Sequence, residues 1–403
     1  MSELIVPFFK PSFSQEEKDA VCSVLDSAWL TTGNITHQFE KEFAEYTGSK
    51  YALAVNSNTS GMILAMEACG VSKGRFVITT PYTFVSTAAS ALHLGADVLF
   101  ADIEKNSYSI DPESIEKVLI KAKKDGILNK ISAIVPVHIA GNLCNMKAIN
   151  ALAKKYSSAE NKIWVIEDCA HSFPSKTKDG FAGTLGDAGI FSFYATKTMT
   201  TGEGGMVITN NDNLCKRITR MRLHGMDRDA WDRYTSSKAS WEYDIIAPGF
   251  KSNLPDILSA IGRVQLKKAL TFDEKRKKIV AKYNEAFKNE DYLTIPPDGE
   301  GNSWHLYLLQ VNTDKLDCDR NTFAKELQDA GLGISLHFIA IFHFSYWQNR
   351  YPEFTAAEFP NAEKHYQSTI SIPLWPDMPE EMSDYVIKTV IETGKKHYVC
   401  RKN

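Results

Sequence analysis

Lys197 lies in FSFYATKTMTTGEGG (191–205), after an apolar run and among threonines and glycines rather than other charges. A lysine so placed is either a turn residue or a base and nucleophile, because a partly desolvated amine gives up its proton more readily. WVIEDCAH (164–171) reads as a buried strand ending in Glu167 and Asp168. Side chains alternate along a strand, so these two acids cannot both meet one ligand. Asp168 at the tip suits a cationic ring nitrogen, and its plainer reading is a helix cap or loop acid. Metal binding is the weaker option, since Cys169 and His171 lack ligand spacing. In AVNSNTSGMILAM (54–66) a strand runs through Ser57-Asn58-Thr59-Ser60-Gly61 into a helix. Hydroxyls and free N–H groups at a helix start make a phosphate cradle. The alternative is simple capping by Asn58 or Thr59, and no GK[ST] follows to make a Walker motif.

These residues need elements that bring them to one place. Strands are expected at 51–56, 75–80, 96–103, 131–138, 162–168, 189–194 and 205–210, several of them near-continuous apolar runs suited to a sheet covered on both faces. Polar helical stretches alternate with them. DPESIEKVLIKAKKDG (111–126) has Asp111 to cap it, Pro112 at the first helical position and Gly126 to end it. The expected fold is α/β: a three-layer α/β/α large domain with a mostly parallel seven-stranded sheet, residues 1–254, then a connecting helix and a smaller α+β domain, residues 255–403. A long helical region over 255–290 is expected to be interrupted, with strands at 304–311 and 333–338 and a helix over 319–331. In the closing helix, Met382, Val386 and Val390 form one buried stripe. Ligands of such sheets sit beyond the carboxyl ends of the strands, where Asp168, the cradle and Lys197 fall.

Composition excludes some partners. Lys and Arg total 46 against 49 Asp and Glu, so no basic excess exists to neutralise nucleic acid. No run approaches the roughly 20 apolar residues that span a membrane. The opening MSELIVPFFKPSF lacks a basic region and carries Pro7 and Pro11, unlike a signal peptide. The seven cysteines (Cys22, Cys69, Cys144, Cys169, Cys215, Cys318, Cys400) include no CxxC pair, which fits a reduced, cytoplasmic setting.

The order of cradle, strand-end aspartate and later lysine resembles fold-type I pyridoxal-phosphate enzymes. The stretch 167–210, with WLTTG (29–33), PYTFVST (81–87), VPVHIAGN (135–142), LHG (223–225), PGFKSNLPDILSAIG (248–262), WHLYLL (304–309) and FPNAEKHYQSTISIPLWP (359–376), is similar to the DegT/DnrJ/EryC1/StrS nucleotide-sugar aminotransferases over nearly the whole chain. The resemblance implies that Lys197 bonds the aldehyde of pyridoxal 5′-phosphate and that Asp168 faces its pyridine nitrogen. It places His171 near the phenolic oxygen, Phe84 against the ring, and Thr59, Ser60 and Ser192 at the phosphate. Asn253 would reach the phosphate of a neighbouring subunit, which implies a homodimer with shared active sites. Tyr194 and His337 are candidate substrate contacts, with strand packing and core packing as their plainer roles. The implied reaction passes an amino group from L-glutamate, through pyridoxamine 5′-phosphate, to a keto-sugar nucleotide.

The chain also departs from the family. Ala195 stands where many members have proline, and HFIAIFH (337–343) replaces the common HYxPxH, which leaves the substrate open. Related sugar dehydratases carry histidine at the position of Lys197, which weighs against that activity. A non-catalytic regulator that keeps the fold is a further alternative. No arginine motif marks the carboxylate grip of general amino-acid aminotransferases.

Overall fold

The computed structural model describes residues 4–227 and 242–399; Cys400, counted above, lies outside them. The chain opens with helices α1 (Gln15–Ser27) and α2 (Asn34–Thr47). Strands and helices then alternate: β1 (Tyr51–Val55), α3 (Asn58–Ala68), β2 (Phe76–Thr79), α4 (Ser86–His93), β3 (Asp97–Phe100), α5 (Pro112–Lys124), β4 (Ile131–Ile134), α6 (Met146–Tyr156) and β5 (Trp164–Asp168). A short hairpin, β6 (Lys176–Thr177) and β7 (Gly180–Phe181), precedes β8 (Ala188–Ser192), β9 (Gly205–Thr209) and α7 (Asp212–Met221). Local signals set these ends. Asp111 accepts a hydrogen bond from the Glu113 N–H at 3.0 Å, Pro112 opens α5, and Gly126 follows at φ 72°.

All seven expected strands are present, in the order β1-β9-β8-β5-β4-β2-β3. Neighbours from β8 through β3 run parallel; β9 is antiparallel to both β8 and β1. Successive residues supply different cores. Val77 and Ala133 pack into one cluster with α3 and α4, while Ile78 and Ile134 pack into another with α5 and α6. Both faces of the sheet are thus covered, which explains the unbroken apolar runs.

Helix α8 (Asp256–Phe287) leads out of this unit. The expected interruption is absent: its 32 residues are continuous. Gly262, the natural place for a break, instead admits Phe39; a Cβ there would come within 2.6 Å of that ring. Close helix packing fixes the glycine, and the same packing offsets its weak helix propensity. Beyond α8, strands β10 (Leu293–Thr294), β11 (Tyr307–Val311) and β12 (Thr369–Ile372) form a small antiparallel sheet. The expected strand at 333–338 is reduced to one bridge, Ser335 to Ser371. Asp319 caps the helix Arg320–Asp329 through the Thr322 N–H at 2.7 Å. In the closing helix Glu380–His397, Val386 and Val390 are fully buried and Met382 packs beside them.

A division at residues 254 and 255 stands as our proposed boundary, at the entry to α8. The opening segment crosses it: Val6 bridges Leu332 and packs in the core built from Tyr283, Tyr307 and Val390.

Candidate active site

A cavity of about 410 Å³ opens at the carboxyl ends of the sheet strands. The three chemically distinctive stretches of the sequence meet there. Ser57, Asn58 and Thr59 border it from the start of α3, Asp168 from the end of β5, and Ser192, Tyr194 and Lys197 from the segment after β8. Phe84, His171, His337 and Phe338 complete the apolar and imidazole wall.

The Asp168 carboxylate is 3% exposed and fixed from three directions. Its Oδ1 accepts from Asn58 Nδ2 at 3.2 Å and from the Ala170 N–H at 3.1 Å; Oδ2 accepts from Thr87 Oγ1 at 2.8 Å. Glu167 points to the other face, as alternation requires. There it is fully buried and accepts from His138 Nε2 at 2.9 Å and from the N–H groups of Gly183 at 2.9 Å and Leu185 at 2.8 Å. His138 Nδ1 accepts the Cys144 N–H at 3.2 Å, which puts a proton on Nε2 toward Glu167; burial opposes the charged imidazole, but hydrogen bonds with Cys144, Cys169 and Glu167 hold its pKa well above the usual histidine range. Glu167, His138 and Cys169 come close together, yet the polar atoms of Glu167 and His138 are already bonded, so the group is structural.

Lys197 is half-buried, and its N–H bonds the Tyr194 carbonyl at 3.0 Å, closing a turn. Burial pushes its ammonium down to about 8, opposed by the nearby Asp168 carboxylate. The two imidazoles facing it are also driven neutral. Burial holds His171 well below the usual histidine range, with Lys197 and His337 adding repulsion. Burial, then Lys197, takes His337 to about 3. His171 Nδ1 accepts the Ala140 N–H at 3.3 Å, which leaves the proton on Nε2. Its ring stacks on Phe338, centroids 5.5 Å apart at 20°.

Other expected residues take different places. The cap of α3 is Ser57, neither Asn58 nor Thr59: Ser57 Oγ accepts the Ser60 N–H at 3.1 Å. Ser60 does not border the cavity; its hydroxyl accepts from Ser57 Oγ at 3.1 Å. Ser192 Oγ receives the Tyr194 N–H at 3.3 Å. Phe84 and Tyr194 are 59% and 47% exposed, so each presents a ring face or edge to solvent at the cavity mouth. His343 bonds Glu363 at 2.5 Å and does not border the cavity. Asn253 is not in the cavity with Lys197. It gives Nδ2 to Thr32 Oγ1 at 2.7 Å and borders a separate cavity of about 210 Å³ with Arg220 and Arg222. Thr87 and Ala140 were missed by sequence reading. Thr87 had one faint signal, its place in PYTFVST at a strand-to-helix turn like the cradle's own.

The residues present fit pyridoxal 5′-phosphate. A fixed carboxylate, an amine near neutrality and a hydroxyl-lined helix start face one space large enough for the ring and phosphate. Fold and site together define a pyridoxal-phosphate enzyme class, the aminotransferase-type open sheet with its lysine beyond a later strand. Comparison with known proteins narrows this. The DegT/DnrJ/EryC1/StrS aminotransferase family model matches residues 11–391, and the chain belongs to that family, whose members depend on pyridoxal 5′-phosphate. It is therefore an aminotransferase.

A spore coat polysaccharide biosynthesis protein, SpsC, of Bacillus subtilis (strain 168) is 40% identical over 393 residues, 97% of each chain. An uncharacterised protein of Methanocaldococcus jannaschii is 41% identical over 381 residues, 94% of this chain and 95% of its own. Among solved structures, a Streptococcus pneumoniae protein in its PMP form superposes with a TM-score of 0.88 at 28% identity, covering 97% and 99% of the two chains. PseC of Helicobacter pylori, an aminotransferase involved in pseudoaminic acid biosynthesis, gives 0.86 at 28% identity over 98% and 100%.

Proposed function

We propose that this chain transfers the amino group of L-glutamate to a keto-sugar nucleotide, UDP- or dTDP-linked, with the ketone at C3 or C4. The observation that carries the reading is the meeting of Lys197 and Asp168 in one cavity, in a chain whose relatives include a polysaccharide biosynthesis protein and a pseudoaminic acid aminotransferase. The product would feed a surface glycan such as a lipopolysaccharide. The enzyme would act in the cytoplasm, as a homodimer with shared active sites; no described helix is long and apolar enough to cross a membrane.

The cofactor would supply an electron sink for the carbanion at the donor carbon. The protein does the rest. Asp168, held by Asn58 and Thr87, keeps a carboxylate against the ring nitrogen. Thr59 and Ser192, which border the cavity, are the proposed phosphate ligands in this chain, with Asn253 offered by the second copy. Lys197 would hold the cofactor at rest and, once displaced by the donor's amine, would take the proton from the donor carbon and supply one at the acceptor carbon. Once freed, its amine would be half neutral near pH 8, so both forms needed for that exchange would be available. His171, neutral and with its proton on Nε2, would donate toward the phenolic oxygen. Phe84 would cover the ring, and Tyr194 and His337 would meet the sugar side.

A panel of keto-sugar nucleotides incubated with glutamate tests the assignment by 2-oxoglutarate release. One 3-keto or 4-keto substrate should give glutamate-dependent release and an amino-sugar nucleotide. Release from no member of the panel, with free keto acids accepted instead, would contradict it. A dehydratase is disfavoured by lysine at position 197, and a fold-only regulator by the complete hydrogen-bond frame of Asp168.

A further inference from the structure

A second, much smaller cavity lies on the other side of the Lys197 segment, with room for about one water-sized sphere, 10 Å³. The N-terminal stretch, the lysine-bearing turn, α8 and Trp375-Pro376 close around it. Its bordering residues include Lys10, Lys197 and Arg276 and no acid. Arg276 is 3% exposed. Its Nη1 serves the carbonyls of His305 at 3.3 Å and Leu374 at 3.1 Å, while its Nε has no partner. Ser12 Oγ, also bordering the cavity, is buried without a partner. Two acids stand near without bordering the cavity. Asp273, one turn earlier on α8, binds Lys277 through Oδ2 at 2.6 Å and leaves its buried Oδ1 without a partner, and Asp377, beside Ser12, binds Lys275 at 2.6 Å. Burial lowers the Arg276 guanidinium to about 10, with Asp273 opposing, and its buried Nε–H still calls for an acceptor.

We propose that this cavity binds one small monovalent anion of the halide class, held by Arg276 Nε–H and Ser12 Oγ–H behind Lys197. Three cationic side chains, two unsatisfied donors and no bordering acid leave an anion as the complementary occupant. A bound anion would favour the ammonium form of Lys197 and raise its protonation midpoint. The other charged or titratable groups facing Lys197 are Asp168, His171, Glu203, Tyr194 and His337 across the large cavity, His305 behind His171, and Lys10 on the small cavity.

The test has two arms. In crystals of the full chain grown with bromide, the anomalous map should show a peak touching Arg276 Nε and Ser12 Oγ. In solution, the full chain carrying pyridoxamine 5′-phosphate leaves Lys197 free for reductive methylation, mapped by peptide mass. At equal ionic strength, the pH midpoint of that modification should be about half a unit higher in chloride than in gluconate. Arg276→Met should abolish the difference, and Ser12→Ala should reduce it should the arginine variant fail to fold. A water peak without anomalous signal, a midpoint blind to halide identity, or a halide effect that survives Arg276→Met overturns the proposal. The bromide arm does not involve the substrate, so its failure is separate from failure of the aminotransferase reading.

Discussion

At the scale of single residues, the site is a set of protonation states fixed by surroundings. Lys197 sits near neutrality because burial outweighs the pull of Asp168. Once freed from the cofactor, its amine is charged below about pH 8 and neutral above, so proton abstraction in the first half-reaction should speed up as pH rises through 8 and then level off. A stopped-flow pH profile of 2-oxoglutarate formation checks this; a rate falling across the same range would contradict it. Thr87→Val leaves Asp168 Oδ2 without its 2.8 Å donor, at a cost of about 1–3 kcal/mol. Cofactor affinity should fall about tenfold while the chain stays folded, as read by fluorescence titration and circular dichroism. Lys197 and Asp168 were legible in sequence because rare residue types stood at strand ends. Asn58 and Thr87 were not, because Ser, Thr and Asn at helix starts look the same whether they cap a helix or hold a carboxylate.

At the scale of elements, the apolar runs and their punctuation located all seven strands of the large sheet, and Asp111, Pro112 and Gly126 located α5 to within two residues. Two elements were misread for opposite reasons. α8 stays unbroken because Gly262 is a packing residue against Phe39, a fact that lives in the tertiary contact and not in the helix. The run 333–338 has strand composition, yet its backbone pairs only through the Ser335–Ser371 bridge and a Gly333 N–H bond to the Val6 carbonyl at 2.7 Å, and its end turns His337 and Phe338 into the cavity wall. Gly262→Ala should therefore destabilise despite a better helix former, by about 1–3 kcal/mol through overpacking. Chemical denaturation measures it, and a neutral or stabilising result would show that Phe39 gives way freely.

At the scale of the molecule, the resemblance seen in scattered motifs is matched by a family model over residues 11–391 and by superposition on solved aminotransferases. What no single chain displays is the role of Asn253, which borders a cavity apart from Lys197. The proposed shared sites predict complementation. Lys197→Ala and Asn253→Ala proteins, each nearly inactive, should regain about a quarter of full activity when refolded together, since a mixed dimer holds one intact site. No recovery in a mixture proven to contain mixed dimers would place Asn253 outside the site. The whole account depends most directly on where the cofactor is attached. Borohydride reduction of the freshly reconstituted enzyme, followed by peptide mapping, should find one phosphopyridoxyl group per chain, on Lys197 of the peptide spanning FSFYATKTMTTGEGG. Label on another lysine, or on none while the protein remains active, would contradict it.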